Sequence, residues 1–212
     1  MLDIRTILKR GWFWAAFGIM YVVVFRLLEA RVVDFHVIHM WLDDVIPFCE
    51  YFIVPYYLWF PYVGATAIYF VAFNKEKSEN DKFFISFAMG SALFIVLSAV
   101  YPNIQELRPT LTGENIFERM VMYLYQTDTP TNILPSLHVY NTVVSYIAIV
   151  KNKGCRKHKS VIIGAGILSL SIILATMFLK QHSAVDVIMA LICNVICYIF
   201  VYWVPERKKI KK

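Results

Sequence analysis

The heptapeptide Lys180-Gln181-His182-Ser183-Ala184-Val185-Asp186 sits at the hinge between two long apolar runs, 161–180 and 183–204. Ionisable side chains inside membrane segments are costly and mark function. Spaced i, i+4, His182 and Asp186 share one helical face, where the carboxylate can accept a hydrogen bond from the imidazole. An imidazole oriented by a carboxylate makes a nucleophile or a general base. The hinge therefore predicts two helices that meet at a reactive histidine.

Outward from this hinge the chain stays apolar. Of its 212 residues, 59% are hydrophobic and 17% charged, and the mean hydropathy is +0.58. Soluble domains carry about half apolar and roughly a quarter charged residues. Runs long enough for about 30 Å of hydrocarbon fall at 12–30, 47–73, 83–101, 134–150, 161–180 and 183–204. The expectation is an all-α, six-helix membrane bundle forming one domain over 1–212. Pro55 and Pro61 predict a kink or tilt in the second span, and Pro135 suits the first turn of the fourth. No small-residue cleavage pattern follows the first run, so no cleaved leader is expected. Cys49, Cys155, Cys193 and Cys197 form no CxxC and read as small apolar filler.

Basic residues set the expected orientation. Arg5, Lys9 and Arg10, the lysines of loop 74–82, the five basic residues of loop 151–160 and the tail Arg207 to Lys212 fall on one side of a six-span bundle. The positive-inside rule makes that side cytoplasmic, with both termini inside and the protein in the plasma (cytoplasmic) membrane. The net charge of +6 is then a topology signal aided by anionic membrane lipid, and no nucleic-acid partner is expected.

On this topology three polar motifs reach the extracytoplasmic helix ends: Arg108-Pro109, Pro135-Ser136-Leu137-His138 and the Lys180–Asp186 hinge. Arg108 offers a bidentate fork and Lys180 a point charge. Ser136 and the N–H groups opening the fourth helix form an anion site. With no HExxH, carboxylate-rich cluster or nucleotide-binding glycine loop, neither metal nor cofactor is expected. The set suits metal-free phosphoryl transfer. His182 would attack phosphorus and Asp186 would hold its tautomer. His138 would protonate the leaving oxygen and then activate the acceptor, while Arg108 and Lys180 stabilise the equatorial oxygens. The bland alternative, interfacial histidines and a snorkelling lysine, needs three coincidences at one depth.

These motifs resemble those of the type 2 phosphatidate phosphatase superfamily, whose pattern is K-x6-R-P, P-S-G-H and S-R-x5-H-x3-D. Arg108-Pro109, Pro135-Ser136-x-His138 and His182-x3-Asp186 match; Tyr101, Leu137 and Ala175-Thr176 depart from it. P-S-L-H with an arginine-less H-x3-D is similar to the branch containing inositol phosphorylceramide synthases. The resemblance implies metal-independent hydrolysis of a lipid phosphate or diphosphate, such as phosphatidate, phosphatidylglycerophosphate or a polyprenyl diphosphate. It implies His182, His138 and Asp186 as catalytic residues and Arg108 and Ser136 as phosphate binders; Lys180 is expected to substitute in part for the missing cations, and Tyr101, Asp128 and Asp44 are secondary candidates. Transfer of a phospho-headgroup to a lipid alcohol is the alternative. A third reading is a non-catalytic lipid-binding protein or a transporter. A transporter would carry paired broken helices in two related halves, and only the second span is interrupted.

The outer loops carry further expectations. His36, His39 and Asp43 at i, i+3, i+7 would share a helical face in an interfacial re-entrant helix or substrate lid; a metal site there lacks a fourth ligand. Aromatics from Phe48 to Tyr62 predict an interface belt or the wall of a lipid-tail groove. In loop 102–133, Thr131 or Asn132 is expected to cap the fourth helix, and Glu118 and Arg119 to form a solvated pair. Arg26 and Glu29, one turn apart in the first span, are expected to form an ion pair.

Overall fold

A computed structural model describes residues 3–210. The Asp3 carboxylate accepts the N–H of Thr6 and opens α1, Ile4–Glu29. The strand β1 (His36–Val37) and the short helix α2 (Trp41–Val45) follow. A 3-10 turn at Glu50–Phe52 then leads into α3, Ile53–Ile68, which ends in a π-helical turn at Tyr69–Phe73. Next come α4 (Lys77–Val100), β2 (Asn103–Ile104), α5 (Ile116–Thr127) and α6 (Leu137–Lys151). The chain closes with α7 (Lys159–Phe178), α8 (Ala184–Tyr198), a π-helical turn at Ile199–Trp203 and α9 (Val204–Ile210). Apart from the parallel pair β1–β2, the longer regular elements among the described residues are helices.

Among the described residues, five helical stretches are long and apolar enough to cross a membrane: Ile4–Glu29, Glu50–Phe73, Lys77–Val100, Lys159–Phe178 and Ala184–Arg207. They mark an all-helical membrane protein. The expected fourth span, 134–150, is the 15-residue α6, about 22 Å long against about 30 Å of hydrocarbon. It starts late because Ser136, not Thr131 or Asn132, is the cap, accepting the Val139 N–H at 3.3 Å. Pro135 therefore precedes the cap and does not open the first turn.

Being short suits where α6 lies. It packs against α3, α4, α7 and α8 and buries more than half of its residues, including Asn141, Thr142 and Ser145. A helix enclosed by protein has little lipid thickness to match. Gly90 of α4 admits the approach: a Cβ there would lie 2.0 Å from the Tyr140 ring. The Tyr140 hydroxyl donates to the Ser86 carbonyl at 2.9 Å. By contrast α1 has no fully buried residue.

Polar contacts tie the helices together at two opposite ends. At the basic end Arg10 donates to the Asn74 carbonyl (2.8 Å), Asn152 donates to Glu79 (2.6 Å), and Lys82 pairs with Glu206 at 3.2 Å. At the hinge end Arg31 donates to the Ser98 carbonyl (2.6 Å), and the Cys49 N–H to the Phe178 carbonyl (3.0 Å). Glu29 here accepts from Thr129, Thr131 and Asn132. The expected Arg26–Glu29 pair is absent among the described contacts, because the loop's hydroxyl and amide donors take the carboxylate.

Two further loop expectations are corrected. His36 lies in β1, stacked on Tyr101 at 4.4 Å, and His39 pairs with Asp44 at 2.9 Å. The helical face through His36, His39 and Asp43 does not form, because β1 pairs with β2. No grouping of three or more metal-ligating side chains occurs among the described residues. Glu118 does not pair with Arg119: it accepts the N–H groups of Glu114 (2.7 Å) and Thr112 (3.1 Å). Those N–H groups hold its carboxyl below the ordinary glutamate range.

Candidate active site

The turn from Leu179 to Ser183 has its backbone tied on every side. The Thr176 carbonyl accepts the N–H groups of Gln181 and His182, both at 3.0 Å. The Leu179 carbonyl takes the Tyr125 hydroxyl at 2.7 Å, and the Lys180 carbonyl takes the Gln105 amide at 2.8 Å. Lys180 itself has φ 51°, in the left-handed region. Such a turn fixes where His182 points.

Ser183 then starts α8 with a capping box: the Asp186 Oδ2 accepts the Ser183 N–H at 2.9 Å. The same Oδ2 faces His182 Nδ1 at 3.4 Å. Asp186 is fully buried, and its Oδ1 has no protein partner among the described residues. On the other side of the ring, His182 Nε2 lies 3.5 Å from His138 Nδ1. The sequence motifs thus meet as a chain, Asp186–His182–His138, drawn together because the Ser136 N–H donates to the Asp186 carbonyl across α6 and α8 at 3.3 Å.

His138 sits between two aromatic rings of α3, Tyr56 at 4.7 Å and Trp59 at 4.5 Å. The Trp59 indole N–H donates to the His138 carbonyl at 3.1 Å. Both histidines open onto a cavity of about 660 Å³ between α1, α3, α4, α5 and α6. Aromatics from α1, α3 and α4 form much of its wall, while Gln181 and Asp128 lie towards the histidines. The aromatic run at 48–62 therefore contributes a cavity wall through Tyr56, Tyr57, Trp59 and Phe60.

The other candidates are placed differently. Lys180 points away from the histidines, and its Nζ donates to the carbonyls of Asp43 (2.6 Å) and Ile46 (2.5 Å). Burial lowers its pKa, against the raising influence of Asp43 and Asp44. Two carbonyls enclose the ammonium that was expected to meet phosphate. Arg108 donates to the carbonyls of Tyr125 (3.0 Å) and Asp128 (2.5 Å) and to Gln181 Oε1 (2.5 Å), with its guanidinium over the Tyr125 ring. Burial lowers its pKa too, opposed first by Asp128. Neither cation lines the cavity; Arg108 stands one side chain behind it, through Gln181. Ser136 is a buried cap, while Tyr101 and Asp44 are engaged with His36 and His39, outside the cavity lining. Asp128 does reach the cavity, accepting the Tyr56 hydroxyl at 2.7 Å and the Gln181 amide at 3.3 Å.

The residue least visible in the sequence is Asp43. It is 4% exposed. Its carboxylate accepts the Ser183 hydroxyl (2.6 Å), the Ala184 N–H (2.7 Å) and the Met40 N–H (2.9 Å). With Lys180 it makes a reciprocal clamp: an ammonium on the carbonyls of the 43–46 segment, and a carboxylate of that segment on the start of α8. The helical spacing from His36 and His39 drew Asp43 towards a different role, and its remote partners are unreadable before folding.

No family model matches this chain, and neither a curated protein nor a solved structure does.

Proposed function

We propose that this protein is a metal-independent membrane lipid phosphatase of the type 2 phosphatidate phosphatase kind, acting through a phosphohistidine on His182. One observation carries the reading: Asp186, His182 and His138 stand in hydrogen-bonding sequence, at 3.4 Å and 3.5 Å, where an aromatic-walled cavity meets its polar end. Asp186 keeps the proton on His182 Nδ1, leaving the Nε2 lone pair facing His138 at the polar end of the cavity. In the reaction Nε2 bonds to phosphorus as the phosphorus–lipid oxygen bond breaks, and His138 protonates the departing alcohol. Water then attacks the phosphohistidine, His138 takes its proton, and inorganic phosphate leaves with His182 restored.

The histidine pair must part for this. An attacking nitrogen and a leaving-group hydrogen bond, each about 3 Å from their partners, do not fit within 3.5 Å. Arg108 stands behind Gln181 in the cavity wall, and exchanging Gln181 Oε1 for a phosphate oxygen would bring it into play. In the accompanying topology α6 crosses as a sixth, protein-enclosed span. Both termini and the basic end face the cytoplasm, and the hinge end faces outward in the plasma membrane. Passing the phosphoryl group to a lipid alcohol uses the same residues and is the second reading, favoured by the P-S-L-H motif.

The test is phosphate release from lipid phosphates and diphosphates by purified protein with EDTA present. Release by the wild type, lost in both His138→Ala and His182→Ala, is the expected result. Release that survives in His182→Ala would refute the phosphohistidine. Headgroup exchange on adding a lipid alcohol, without release to water, would select the transferase.

A further inference from the structure

The cavity extends well below the histidines. Its α1 wall contains Trp14, Phe17, Gly18, Tyr21 and Phe25, one helical stripe. At 1.5 Å per residue, Phe25 to Trp14 is about 16 Å, roughly one leaflet of a membrane whose hydrocarbon is about 30 Å thick. Trp14 and Phe84 stack at 4.8 Å and 13° at the lower end. The same pair also lines a second cavity of about 390 Å³, shared with Ile7, Gly11, Ala67 and Val71. The stacked rings are thus a partition between two apolar spaces. In the side wall, a Cβ on Gly18 would meet nothing within 4 Å.

We propose that this slot measures the hydrocarbon chain of the substrate, holding about a dozen carbons, with the phosphate at His182 and the chain end against Trp14 and Phe84. The reasoning rests on the phosphatase reading for the phosphate end and on the cavity for the chain. A staggered chain advances about 1.25 Å per carbon, so about 16 Å of slot takes about a dozen. Gln181 and Asp128 mark the polar histidine end, and the α1 wall below it is aromatic apart from Gly18. An unbranched alkyl chain suits the aromatic part of those walls, in which Ser91 and Asn141 are the interspersed polar side chains.

The experiment uses n-alkyl phosphates of graded length with the protein in lipid nanodiscs. One arm measures phosphate release; the other measures quenching of Trp14 fluorescence by alkyl phosphates brominated at the chain end, with Trp14→Phe as the reference. Wild-type kcat/KM should rise to about twelve carbons and fall beyond, with the strongest Trp14 quenching at the same length. Gly18→Leu intrudes one helical turn above the partition, about 6 Å, and should shorten the optimum by about five carbons. Trp14→Ala should join the two cavities and lengthen the optimum. Should that variant fail to fold, Gly18→Leu, which faces open space, still decides. A Gly18→Leu profile identical to wild type, or Trp14 quenching indifferent to chain length, overturns the slot. Length-dependent quenching that Gly18→Leu shortens, with no release at any length, upholds the slot and refutes the hydrolase reading instead. Release without length preference refutes the slot and keeps the hydrolase.

Discussion

Asp43→Ala removes the carboxylate that joins the 40–46 segment to the start of α8. Three donors lose their acceptor: the Ser183 hydroxyl, the Ala184 N–H and the Met40 N–H. Ser183 is 0% and Ala184 2% exposed, so water does not replace the lost oxygen without local opening. The hydroxyl can rotate to another acceptor, but the two N–H groups cannot. Hydrogen bonds to a charged acceptor contribute about 1.5–3 kcal/mol each, giving roughly 3–6 kcal/mol for two. Relief from desolvating a carboxylate offsets part of this, leaving a net loss of about 2–4 kcal/mol. For a chain of this size that is a fall in Tm of about 5–15 °C. Asp43→Asn keeps an acceptor for Ala184 and can donate to the Ser183 oxygen, so about half the loss is expected. Thermal unfolding in detergent checks the scale, and amide exchange at Ala184–Val187 checks the place. If His182 is aimed by this clamp, kcat in Asp43→Asn falls while KM holds. An Asp43→Ala protein melting within about 1 °C of wild type, with unchanged exchange at the start of α8, would refute the reasoning.

Lys180→Met separates a strut from a phosphate ligand: the two carbonyl bonds predict a stability loss of about 2–4 kcal/mol seen by thermal unfolding. A transition-state contact would instead give a loss of turnover of about 10²-fold at unchanged stability. Gly90→Ala drives a Cβ into the buried Tyr140 ring and should cost about 1–3 kcal/mol by overpacking, with Gly18→Ala, which meets nothing, as a neutral or stabilising control in the same melt. Backbone N–H groups hold the Glu118 carboxyl low. Their contribution is complete above the unfolded carboxylate range and lost as pH falls through the folded value. Amide exchange at Thr112 and Glu114 should therefore quicken on acidification and become pH-independent of this group in Glu118→Gln, once intrinsic exchange is subtracted.

Much of the helical framework was legible because apolar length and turn chemistry are local properties. The 161–180 and 183–204 runs became α7 and α8 with its π-turn, and the hinge between them kept His182 and Asp186 one turn apart. The meeting of His138 with His182 was legible as well, from two motifs expected at the same depth. What escaped were contacts made by residues far apart in sequence. Asp43 and Ser183 are 140 positions apart, and Glu29 and Asn132 are 103 apart. A carboxylate's partner is set by which loops converge, so the cation one helical turn away, Arg26 for Glu29, was the wrong guide. The segment 36–43 misled for a similar reason: helical spacing is present, but pairing of His36–Val37 with Asn103–Ile104 wins.

The cations carry the same lesson into chemistry. A lysine beside a histidine pair reads as a phosphate binder, yet an ammonium at a buried turn must first satisfy its own donors, and the carbonyls of Asp43 and Ile46 do so. Arg108 answers the same demand with Tyr125 and Asp128, and its remaining contact, Gln181, is a neutral amide in the cavity wall. An amide oxygen is a weaker competitor for a guanidinium than a phosphate oxygen, which carries its own negative charge and can take the fork bidentately. The arginine is therefore held by two fixed carbonyls and one replaceable partner. On the proposed phosphatase reading, the site is rigid where it positions His182 and yielding at Gln181, where the phosphate would enter.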